Sequence, residues 1–451
     1  MGKRSELTRG DRRRNGRIEE LRSVVRVDCA VLAVDLGEDK QVATLMDHER
    51  RILGRRSVVA KAYGLGGLLA WAAERASGLG FAGVVVACEP TGHRWRALME
   101  LADAAGMGFV CVQPLRVHRA REEDDYTRDK TDHKDTVLIG TLVVRLECYL
   151  PERADADWAR LRHLGQRRFD LVGQITAGGR QLMDLLACCW PAVLGCAAKP
   201  LVTTTWLACL SAALQDAPAD PARLRQLGRD GFAAMVRPHL GRFGARNLSH
   251  RIVDRFFAAL ADKGGVAAQR AGGLERARFL LDDWCTAHAR LSDVEQRMVD
   301  ALTAMGLANL VTTIPGVSAV TAAAILAETG DLSRFASARS VVKHAGLNPA
   351  ENTSANQRGT TRVSRRGRPR LRTAAWRAVW GAKPHNQILA ARFTHLTTRD
   401  TRRLTHAQAH VACAASLLRW LYAVVTTRRP FDPDIAAGRR HTRPSRQLLA
   451  A

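Results

Sequence analysis

The chain has 451 residues, and its 69 Lys and Arg against 44 Asp and Glu give a formal net charge of +25. This length allows about three domains, and such a charge makes a nucleic acid the first partner to consider, with an anionic membrane as the competitor. The sequence has no basic-then-apolar leader and no apolar run near the roughly 18 residues of a spanning helix, so we expect no membrane partner.

Residues 28–150 alternate strand and helix signals after a basic segment, residues 1–27, that we predict to be a mobile arm. Asp35 follows an apolar run at 29–34, and Glu89 follows another just before Pro-Thr-Gly, so each acid stands where a buried strand ends. Further signals follow in chain order: a hairpin partner at 42–59, helices at 65–76 and 95–105, a strand at 109–112 and a helix at 133–149. We predict an α/β domain with a mixed sheet.

Asp132 and Asp135 are three residues apart, so a helix would place both on one face. With Asp35 and Glu89 they would form a cage of hard oxygen ligands suited to Mg²⁺ or Mn²⁺. Each acid alone has a plainer explanation as a turn former or helix cap. The hypothesis of a metal site rests on the four acids as a set within one segment of domain size.

Residues 151–306 lack strand signals and are rich in Ala, Leu and Arg at helical spacing. We predict a helical middle region. A stripe with a spacing of about 3.5 residues runs along its last helix, and two alternatives stay open, a coiled-coil arm or an ordinary bundle helix. The stripe consists of Leu280, Trp284, Leu291, Val294, Met298 and Leu302.

Residues 307–425 form a second informative block. The sequence from Ile314 to Ala324 predicts a helix-hairpin-helix, whose Pro315, Gly316 and Val317 would offer backbone N–H groups to a phosphate, although a plain helix turn fits as well. No acid occurs from 352 to 399, while eleven Lys and Arg do, which favours a phosphate-binding surface. Besides the turn, the candidate phosphate contacts are Arg358, Arg362, Ser364, Arg365, Arg366, Arg368 and Arg370.

The motifs of both blocks resemble one family. The order Asp35-Leu-Gly, Glu89-Pro-Thr-Gly and Lys-Thr-Asp132-His-Lys-Asp135 resembles the amino-terminal domain of the DEDD transposases of insertion-sequence elements, which include bridge-RNA-guided recombinases and Piv-type DNA invertases. Further along, Ile314-Pro-Gly-Val, His344-Ala-Gly-Leu-Asn-Pro and Val363-Ser-Arg-Arg-Gly resemble the carboxy-terminal domain of that family. The resemblance covers roughly half of the chain, in the right order.

The resemblance implies a multidomain α/β plus α protein with five segments. These are a basic arm at 1–27, an RNase H-like (resolvase-like) catalytic domain at 28–150, a helical or coiled-coil dimerisation region at 151–306, a mainly helical domain with the helix-hairpin-helix at 307–425, and a basic tail at 426–451. It also implies that Asp35, Glu89, Asp132 and Asp135 bind the metal and that Ser354 is a nucleophile. Thr353 and Ser364 are the other hydroxyls considered for that role.

The function that the resemblance implies is DNA transposition with a covalent phosphoserine, guided by a structured RNA. Partners would be the element ends, the target DNA, the RNA and further copies of the chain, as a dimer or tetramer. His344 and nearby arginines would steady the phosphates. Two rivals remain, a hydrolytic nuclease or junction resolvase that activates water and a non-catalytic nucleic-acid-binding protein. Ten cysteines without a C-x-x-C pair favour a reduced, cytoplasmic protein, and action on DNA would place it at the nucleoid.

Overall fold

The computed structural model describes residues 7–125, 131–153, 155–216, 220–350, 353–354, 357–358 and 362–438. The chain divides into two compact units, Met1–Arg153 and Ala154–Ala451. The boundary that we expected near residue 306 falls inside the second unit. Helices on both sides of it contribute to one hydrophobic core.

A five-stranded sheet forms the centre of the first unit. Its strands are β1 (Cys29–Leu36), β2 (Lys40–Met46), β3 (Ile52–Val59), β4 (Gly83–Cys88) and β5 (Gly108–Cys111). Their order across the sheet is β3-β2-β1-β4-β5. Strand β2 runs antiparallel to both neighbours, whereas β4 is parallel to β1 and β5. The prediction of an α/β domain with a mixed sheet is therefore confirmed.

Helices cover both faces of this sheet. They are α1 (Arg9–Val24), α2 (Ala62–Gly78), α3 (Arg94–Ala104), α4 (Pro114–Asp125) and α5 (Asp132–Val144). Because side chains alternate along a strand, Leu32 and Val34 of β1 enter a core with α2 and α3, while Val31 and Ala33 enter a core with α1 and α5. Burying aliphatic side chains of this kind contributes about 1.5–3 kcal/mol each, which fixes the register of β1.

Residues 9–24 form a helix, so the prediction of a mobile arm was wrong for this end of the chain. Leu21 and Val25 are 2% and 0% exposed and belong to the core beneath α5. These two side chains anchor the end of α1 that leads into β1. The sequence obscured the helix because residues 10–20 are exposed on all sides and carry no apolar stripe of their own.

The second unit is mainly helical, as predicted for both blocks that it contains. Its helices are α6 (Ala156–Cys189), α7 (Thr204–Asp216), α8 (Gly228–Val236), α9 (His250–Ala259), α10 (Ala267–Ala304), α11 (Ala308–Val311), α12 (Ala319–Thr329), α13 (Ala338–His344), α14 (Pro369–Ala382), α15 (Gln387–Thr398), α16 (His406–Thr427) and α17 (Pro433–Ala436). Within the described residues of this unit, short 3₁₀ turns connect them at Pro191–Cys196, Pro200–Val202, Pro221–Leu227, Arg237–His239, Gly241–Phe243 and Leu332–Arg334.

Helices α6 and α10 form a long antiparallel pair. Arg168 of α6 donates from Nε to Glu295 of α10 at 2.8 Å, and Gly273 at the start of α10 lies against Cys189 at the end of α6. Val294, Met298 and Leu302 of the apolar stripe are buried within the chain by this pairing and by the cores at its ends, while Leu280, Trp284 and Leu291 are partly buried. The stripe therefore packs at least in part inside one chain, and dimerisation through this region stays a prediction.

The described residues of the second unit also include four two-residue strands. They are β6 (Pro349–Ala350), β7 (Thr353–Ser354), β8 (Gln357–Arg358) and β9 (Arg362–Val363). Strand β6 pairs with β9, and β7 pairs with β8, both antiparallel. These two ladders lie between the turns at 346 and 365, and we call them the hairpin.

Helix α16 has 22 residues and is apolar enough to cross a membrane, so the expectation that no run approaches that length was wrong. In the described structure, however, 61% of its most apolar window is buried. Cys413, Leu417 and Leu421 lie in the main core of the second unit. Packing in that core accounts for the apolar composition of the helix.

Candidate active site

Asp35 and Glu89 lie on neighbouring parallel strands of the first unit. The register pairs Val34 of β1 with Cys88 of β4. Asp35 follows Val34 within β1, and Glu89 directly follows Cys88, the last residue of β4. Because side chains alternate, both acids fall on the face of the sheet that α5 covers. The strand register alone therefore brings them side by side at the carboxyl edge of the sheet.

The first turn of α5 carries Asp132 and Asp135. Thr131 is the N-cap of this helix, and its hydroxyl accepts a hydrogen bond from the Lys134 N–H at 3.2 Å. A capping role for either aspartate, which the sequence left open, is thus filled by another residue. Both acids remain close to the positive end of the helix dipole, where negative charge is stabilised.

A close approach holds α5 on the sheet. A Cβ atom on Gly140 would lie 2.5 Å from Met46 Sδ of β2, so a side chain there would require the end of Met46 to move. The hydroxyl oxygens of Thr136 and Thr44 are 2.7 Å apart and buried. This contact joins the first turn of α5 to β2 and so fixes the height of the helix above the edge of the sheet.

One cavity of about 450 Å³ opens at this edge. Asp35, Glu89, Asp132 and Asp135 all line it. The other lining residues are Leu36, Gly37, Thr91, Pro114, His118 and Arg121. The fold therefore brings together all four acids that the sequence singled out, from three separate segments of the chain. Carboxylate oxygens of this kind are the ligands that Mg²⁺ and Mn²⁺ prefer.

Two cations of the chain sit among these acids. Arg121 donates to Asp135 Oδ1 from Nε at 2.9 Å and from Nη2 at 2.6 Å, and the two side chains are only 14% and 6% exposed. Lys40 Nζ lies 3.6 Å from Asp132 Oδ2. Among the described residues no three Asp, Glu, His or Cys side chains already form a metal ligand set. The donors suit a divalent cation, and one bound at Asp135 would replace Arg121.

The sequence analysis missed both His118 and Arg121, because it missed α4 altogether. This helix is mostly charged, and the apolar period that marks a helix is weak in it. The position of residues 114–125 shortly before the Lys-Thr-Asp132 motif could have indicated these two residues as site residues, since a segment there must pass the same edge of the sheet. His118 and Arg121 are three residues apart and share a face.

In the second unit, two turns are hydrogen-bonded to each other. The Ser364 N–H donates to the Asn348 carbonyl at 2.9 Å, and the Arg365 N–H donates to the Gly346 carbonyl at 3.0 Å. Arg365 has a φ of 52°, in the region that residues other than glycine seldom adopt. These bonds join the two motifs, His344 to Pro349 and Val363 to Gly367, into one structural element.

The glycines of these motifs are required by the close contact between the turns. A Cβ atom on Gly367 would lie 2.5 Å from the Gly346 nitrogen and would also overlap the His344 carbonyl oxygen. Gly346 itself has a φ of 67°, which glycine adopts without strain. The family-like spacing of the two motifs therefore has a structural explanation.

Thr353 and Ser354 form β7, in the hairpin that leaves these turns. Their backbone pairs with β8, Thr353 opposite Arg358. The side chains of Thr353, Ser354 and Arg358 lie outside what the structure describes. The predicted nucleophile and its alternative are thus located on the chain path, and their roles stay predictions.

The predicted phosphate contacts fall into two groups. Arg362, Arg365 and Arg366 are exposed, as a phosphate-binding surface requires. Ser364 is engaged instead, because its hydroxyl donates to Asn348 Oδ1 at 2.7 Å. This bond ties the two turns together and makes Ser364 a structural hydroxyl here.

Two further arginines are also engaged by the protein itself. Arg368 donates from Nη1 to the Glu328 carbonyl at 2.9 Å, at the end of α12. The Arg370 guanidinium lies 4.5 Å from the centre of the Phe169 ring. Both contacts are of kinds that stabilise folds. Arg368 and Arg370 therefore have structural contacts, and their predicted contact with nucleic acid stays a prediction.

His344, which we expected to steady phosphates, is held uncharged. Burial, together with the positive charges of Arg368, Arg334 and Arg162, lowers the pKa of His344 to about 4. The ring packs against Phe335, with ring centres 5.2 Å apart. At neutral pH the imidazole is therefore uncharged, so it could contact a phosphate only as a neutral group, and that contact stays a prediction.

The Pro-Gly turn has the predicted form, a short helix, a tight turn and a second helix. Gly316 has a φ of 76°, Ser318 caps α12, and Pro315 and Gly316 are exposed. Val317 is the exception. Its side chain is 6% exposed, and its N–H donates to the Ile314 carbonyl at 3.0 Å, so it has no free group to offer a phosphate.

Two family models match separate parts of the chain. Residues 32–191 match the transposase model of the DEDD type of IS110 elements. Residues 308–394 match the model described as the transposase IS116/IS110/IS902 family. The first match contains the four acids, and the second contains both turns and the hairpin between them.

Proteins of three insertion elements are similar to the chain over most of its length. The IS110 uncharacterized 43.6 kDa protein of Streptomyces coelicolor is 27% identical, over 68% of this chain and 74% of its own. The IS116 uncharacterized 44.8 kDa protein of Streptomyces clavuligerus is 25% identical, over 77% and 84%. The IS900 uncharacterized 42 kDa protein of Mycobacterium paratuberculosis is 26% identical, over 74% and 81%.

Proposed function

Because this chain belongs to the IS110-type DEDD transposases of insertion elements, we propose that it cuts and rejoins DNA with two sets of groups, one in each unit. The first set is the acidic tetrad. The second is a hydroxyl on the hairpin between the two turns. The observation that carries the proposal is the meeting of Asp35, Glu89, Asp132 and Asp135 in one cavity.

The first unit is proposed to be RNase H-like, in the resolvase-like form. A mixed sheet with the order β3-β2-β1-β4-β5 and an antiparallel β2 supports this assignment. So does the position of the acids at the carboxyl edge of β1 and β4, where open α/β sheets bind their ligands. The α5 acids complete the set from the adjoining layer.

The four carboxylates would hold Mg²⁺ or Mn²⁺. Such an ion, when bound, polarises the scissile phosphate and stabilises the departing 3′ oxygen. The residues of the chain would prepare this site in two ways: α5 presents two acids in one turn, and Arg121 neutralises the buried Asp135, where it would compete with an ion. Lys40 lies beside Asp132 and can balance charge there.

Ser354 is the proposed nucleophile, with Thr353 as the neighbouring alternative. Its Oγ would form a bond to phosphorus while the bond from phosphorus to the 3′ oxygen breaks, and the hydroxyl proton would end on that 3′ oxygen. A phosphoserine keeps the bond energy for rejoining, because a second 3′ hydroxyl can attack it and release the serine. The position of Ser354 on a hairpin anchored by two interlocked turns supports this role.

A structured guide RNA is proposed to select the DNA sites, as the family resemblance implies. The exposed Arg362, Arg365 and Arg366 stand beside the hairpin and suit contact with phosphate backbones. The net charge of +25 suits two nucleic-acid partners at once. Action on DNA within the cytoplasm, by a dimer or tetramer, completes the proposal.

The test is a search for protein-linked DNA. The full chain is incubated with Mg²⁺, a transcript of the sequence flanking the element and end-labelled DNA that carries the element junction, and is then denatured. We expect a covalent adduct from the wild type and from Thr353→Ala, and none from Ser354→Ala or Asp132→Asn. An adduct that is lost in Thr353→Ala and kept in Ser354→Ala would move the nucleophile to Thr353.

The same experiment separates the proposal from hydrolysis. A nuclease or junction resolvase that uses the tetrad to activate water would release free cut DNA, dependent on Asp132 and indifferent to Ser354. That result would remove the serine from the mechanism and keep the metal site. Neither adduct nor cut DNA from any of the proteins, with DNA binding unchanged in Asp132→Asn, would leave a nucleic-acid-binding protein.

A further inference from the structure

The exposed part of α1 lies outside the known pattern of the family. The match to the DEDD transposase model begins at residue 32, whereas α1 spans Arg9–Val24. Residues 10–20 are exposed all around the helix, and only the last turn packs on the sheet. About seven residues of helix span 10 Å, so this end extends well beyond its anchor.

Local contacts hold this free end in helical form. Thr8 is the N-cap, and its hydroxyl accepts from the Asp11 N–H at 3.2 Å. Asp11 in turn accepts from the Thr8 N–H at 3.0 Å. This reciprocal capping box stabilises the start of the helix. At the other end Leu21 and Val25 fix the helix to the first unit.

Four arginines stand close together on the free end. Arg12, Arg13, Arg14 and Arg17 are exposed, and in the part of the chain that the structure describes none of them forms a salt bridge. Residues 12–17 contain no acid, although Asp11 precedes them and Glu19 and Glu20 follow them. Asp11 is engaged in the capping box. Like charges one turn apart disfavour an isolated helix, and a polyanion would remove that penalty.

One face of α1 changes character along its length. Arg14, Ile18, Leu21 and Val25 follow a spacing of four, three and four residues, which is one stripe of a helix. The stripe is buried at Leu21 and Val25 and 37% exposed at Ile18. It becomes basic at Arg14, where the helix has left the sheet. The side that packs on the protein thus continues as a basic overhang.

We propose that this basic overhang, residues 12–17 of α1, binds the phosphate backbone of duplex DNA. A helix fits the major groove of DNA, which is about 12 Å wide, whereas the major groove of duplex RNA is too deep and narrow. A membrane surface is less suitable, because the overhang has no apolar face beyond Ile18. Contact from the first unit would add to the binding surface of the second, independently of the proposed catalysis.

The experiment measures DNA binding without chemistry, in EDTA, so it does not depend on the proposed active site. The dissociation constant of the full chain for duplex DNA is measured against salt concentration. The test variant changes Arg12, Arg13, Arg14 and Arg17 to Gln, a good helix former. We expect Kd to rise about 10- to 100-fold and the salt slope to fall by about 3–4, since each phosphate contact contributes about 0.9.

A charge-matched control removes four other exposed arginines of the first unit, Arg50, Arg55, Arg56 and Arg75, as Gln. We expect a smaller loss and a nearly unchanged slope from it. Changing the four α1 arginines to Lys should restore the wild-type slope. Equal losses in both Gln variants would overturn the proposal in favour of general charge. A loss seen with duplex RNA and absent with DNA would overturn the choice of DNA.

Discussion

The acidic cavity of the first unit and the interlocked turns of the second collect charged residues in opposite ways. In the cavity, strand register and one helix turn direct four acids to a common space. In the turns, backbone hydrogen bonds form the element, and some charged side chains are used to hold it. In the cavity, regular secondary structure brings all four acids to one place. In the turns, some of the charged side chains stabilise the fold, and only the others are exposed for binding.

This difference affects how charge is balanced. The cavity contains its own cation, because Arg121 pairs with the buried Asp135, and a buried carboxylate requires such a partner. The turns hold no comparable acid, and their histidine is kept neutral instead. Arg365 and Arg366 are exposed, and a negatively charged partner would neutralise their charge. The predictions below test this contrast, beginning with the largest effect.

Removing one acid should break the cavity as a functional unit. We expect Asp135→Asn to reduce strand cleavage by about 10³-fold or more, since a neutral amide is a poor ligand for a divalent ion. The measurement is the initial rate of DNA cleavage in Mg²⁺. Glu38→Gln is the matched control, because that side chain is 87% exposed, and its rate should stay within twofold, roughly that of wild type. A fully active Asp135→Asn would separate the cavity from the reaction.

The turns should be sensitive to shape where the cavity is sensitive to charge. We expect Gly367→Ala to lower the free energy of unfolding of the second unit by about 1–3 kcal/mol, because its Cβ would overlap the opposite turn. Gly381→Ala is the control, since a Cβ there meets only Gly316 O, at 3.7 Å. Urea unfolding by tryptophan fluorescence measures this, because only Trp71 and Trp95 lie in the first unit. Equal stability of both variants would show that the two turns can move apart without destabilising the second unit.

The neutral histidine of the turns predicts a pH dependence of stability. The pKa of His344 is lowered to about 4 in the folded protein from an ordinary 6.5. The unfolded chain therefore binds a proton first as the pH falls, and stability is lost between pH 6.5 and pH 4 while none is lost above. Allowing for partial solvent contact, we expect a loss of about 1–2 kcal/mol from pH 7 to pH 5.

His344→Gln isolates this contribution. The variant lacks the titrating ring, so its loss of stability over the same pH range should be smaller than that of the wild type by the stated amount. Urea midpoints at pH 7 and pH 5 for both proteins give the double difference, in which other titrating groups cancel. Identical pH dependence in the two proteins would mean that the ring is accessible to protons in the folded state.

The cavity was foreseeable from the sequence because its signals are local. An apolar run that ends at Asp35 or Glu89 identifies a strand and its last side chain without any tertiary information. The alternation of side chains and the pairing of parallel strands then determine which face the acid occupies. The three-residue spacing of Asp132 and Asp135 indicated a helix with both acids on one face, which adds two carboxylates at the same edge.

Other features depended on contacts that no local pattern contains. Arg121 was not predicted because α4 is mostly charged and has no clear apolar period. The burial of His344 follows from packing against Phe335 and from arginines of other segments. The stripe on α10 was visible, but its partner α6 lies about a hundred residues earlier, and periodicity does not name a partner. The family resemblance identified the two turns, and only the structure divided their arginines into bound and free.

Arg121 offers the finest test of the contrast, because it concerns the cation within the acidic cavity. We expect Arg121→Gln to bind Mn²⁺ about tenfold more tightly than the wild type, since the ion no longer competes with a guanidinium for Asp135. Isothermal titration without DNA gives the Kd directly. Arg119→Gln removes an exposed charge from the same helix and should leave the Kd nearly unchanged. Weaker binding by Arg121→Gln would mean that the arginine orients Asp135 for the ion instead of excluding it, and the cavity would then resemble the turns, where arginine serves structure first.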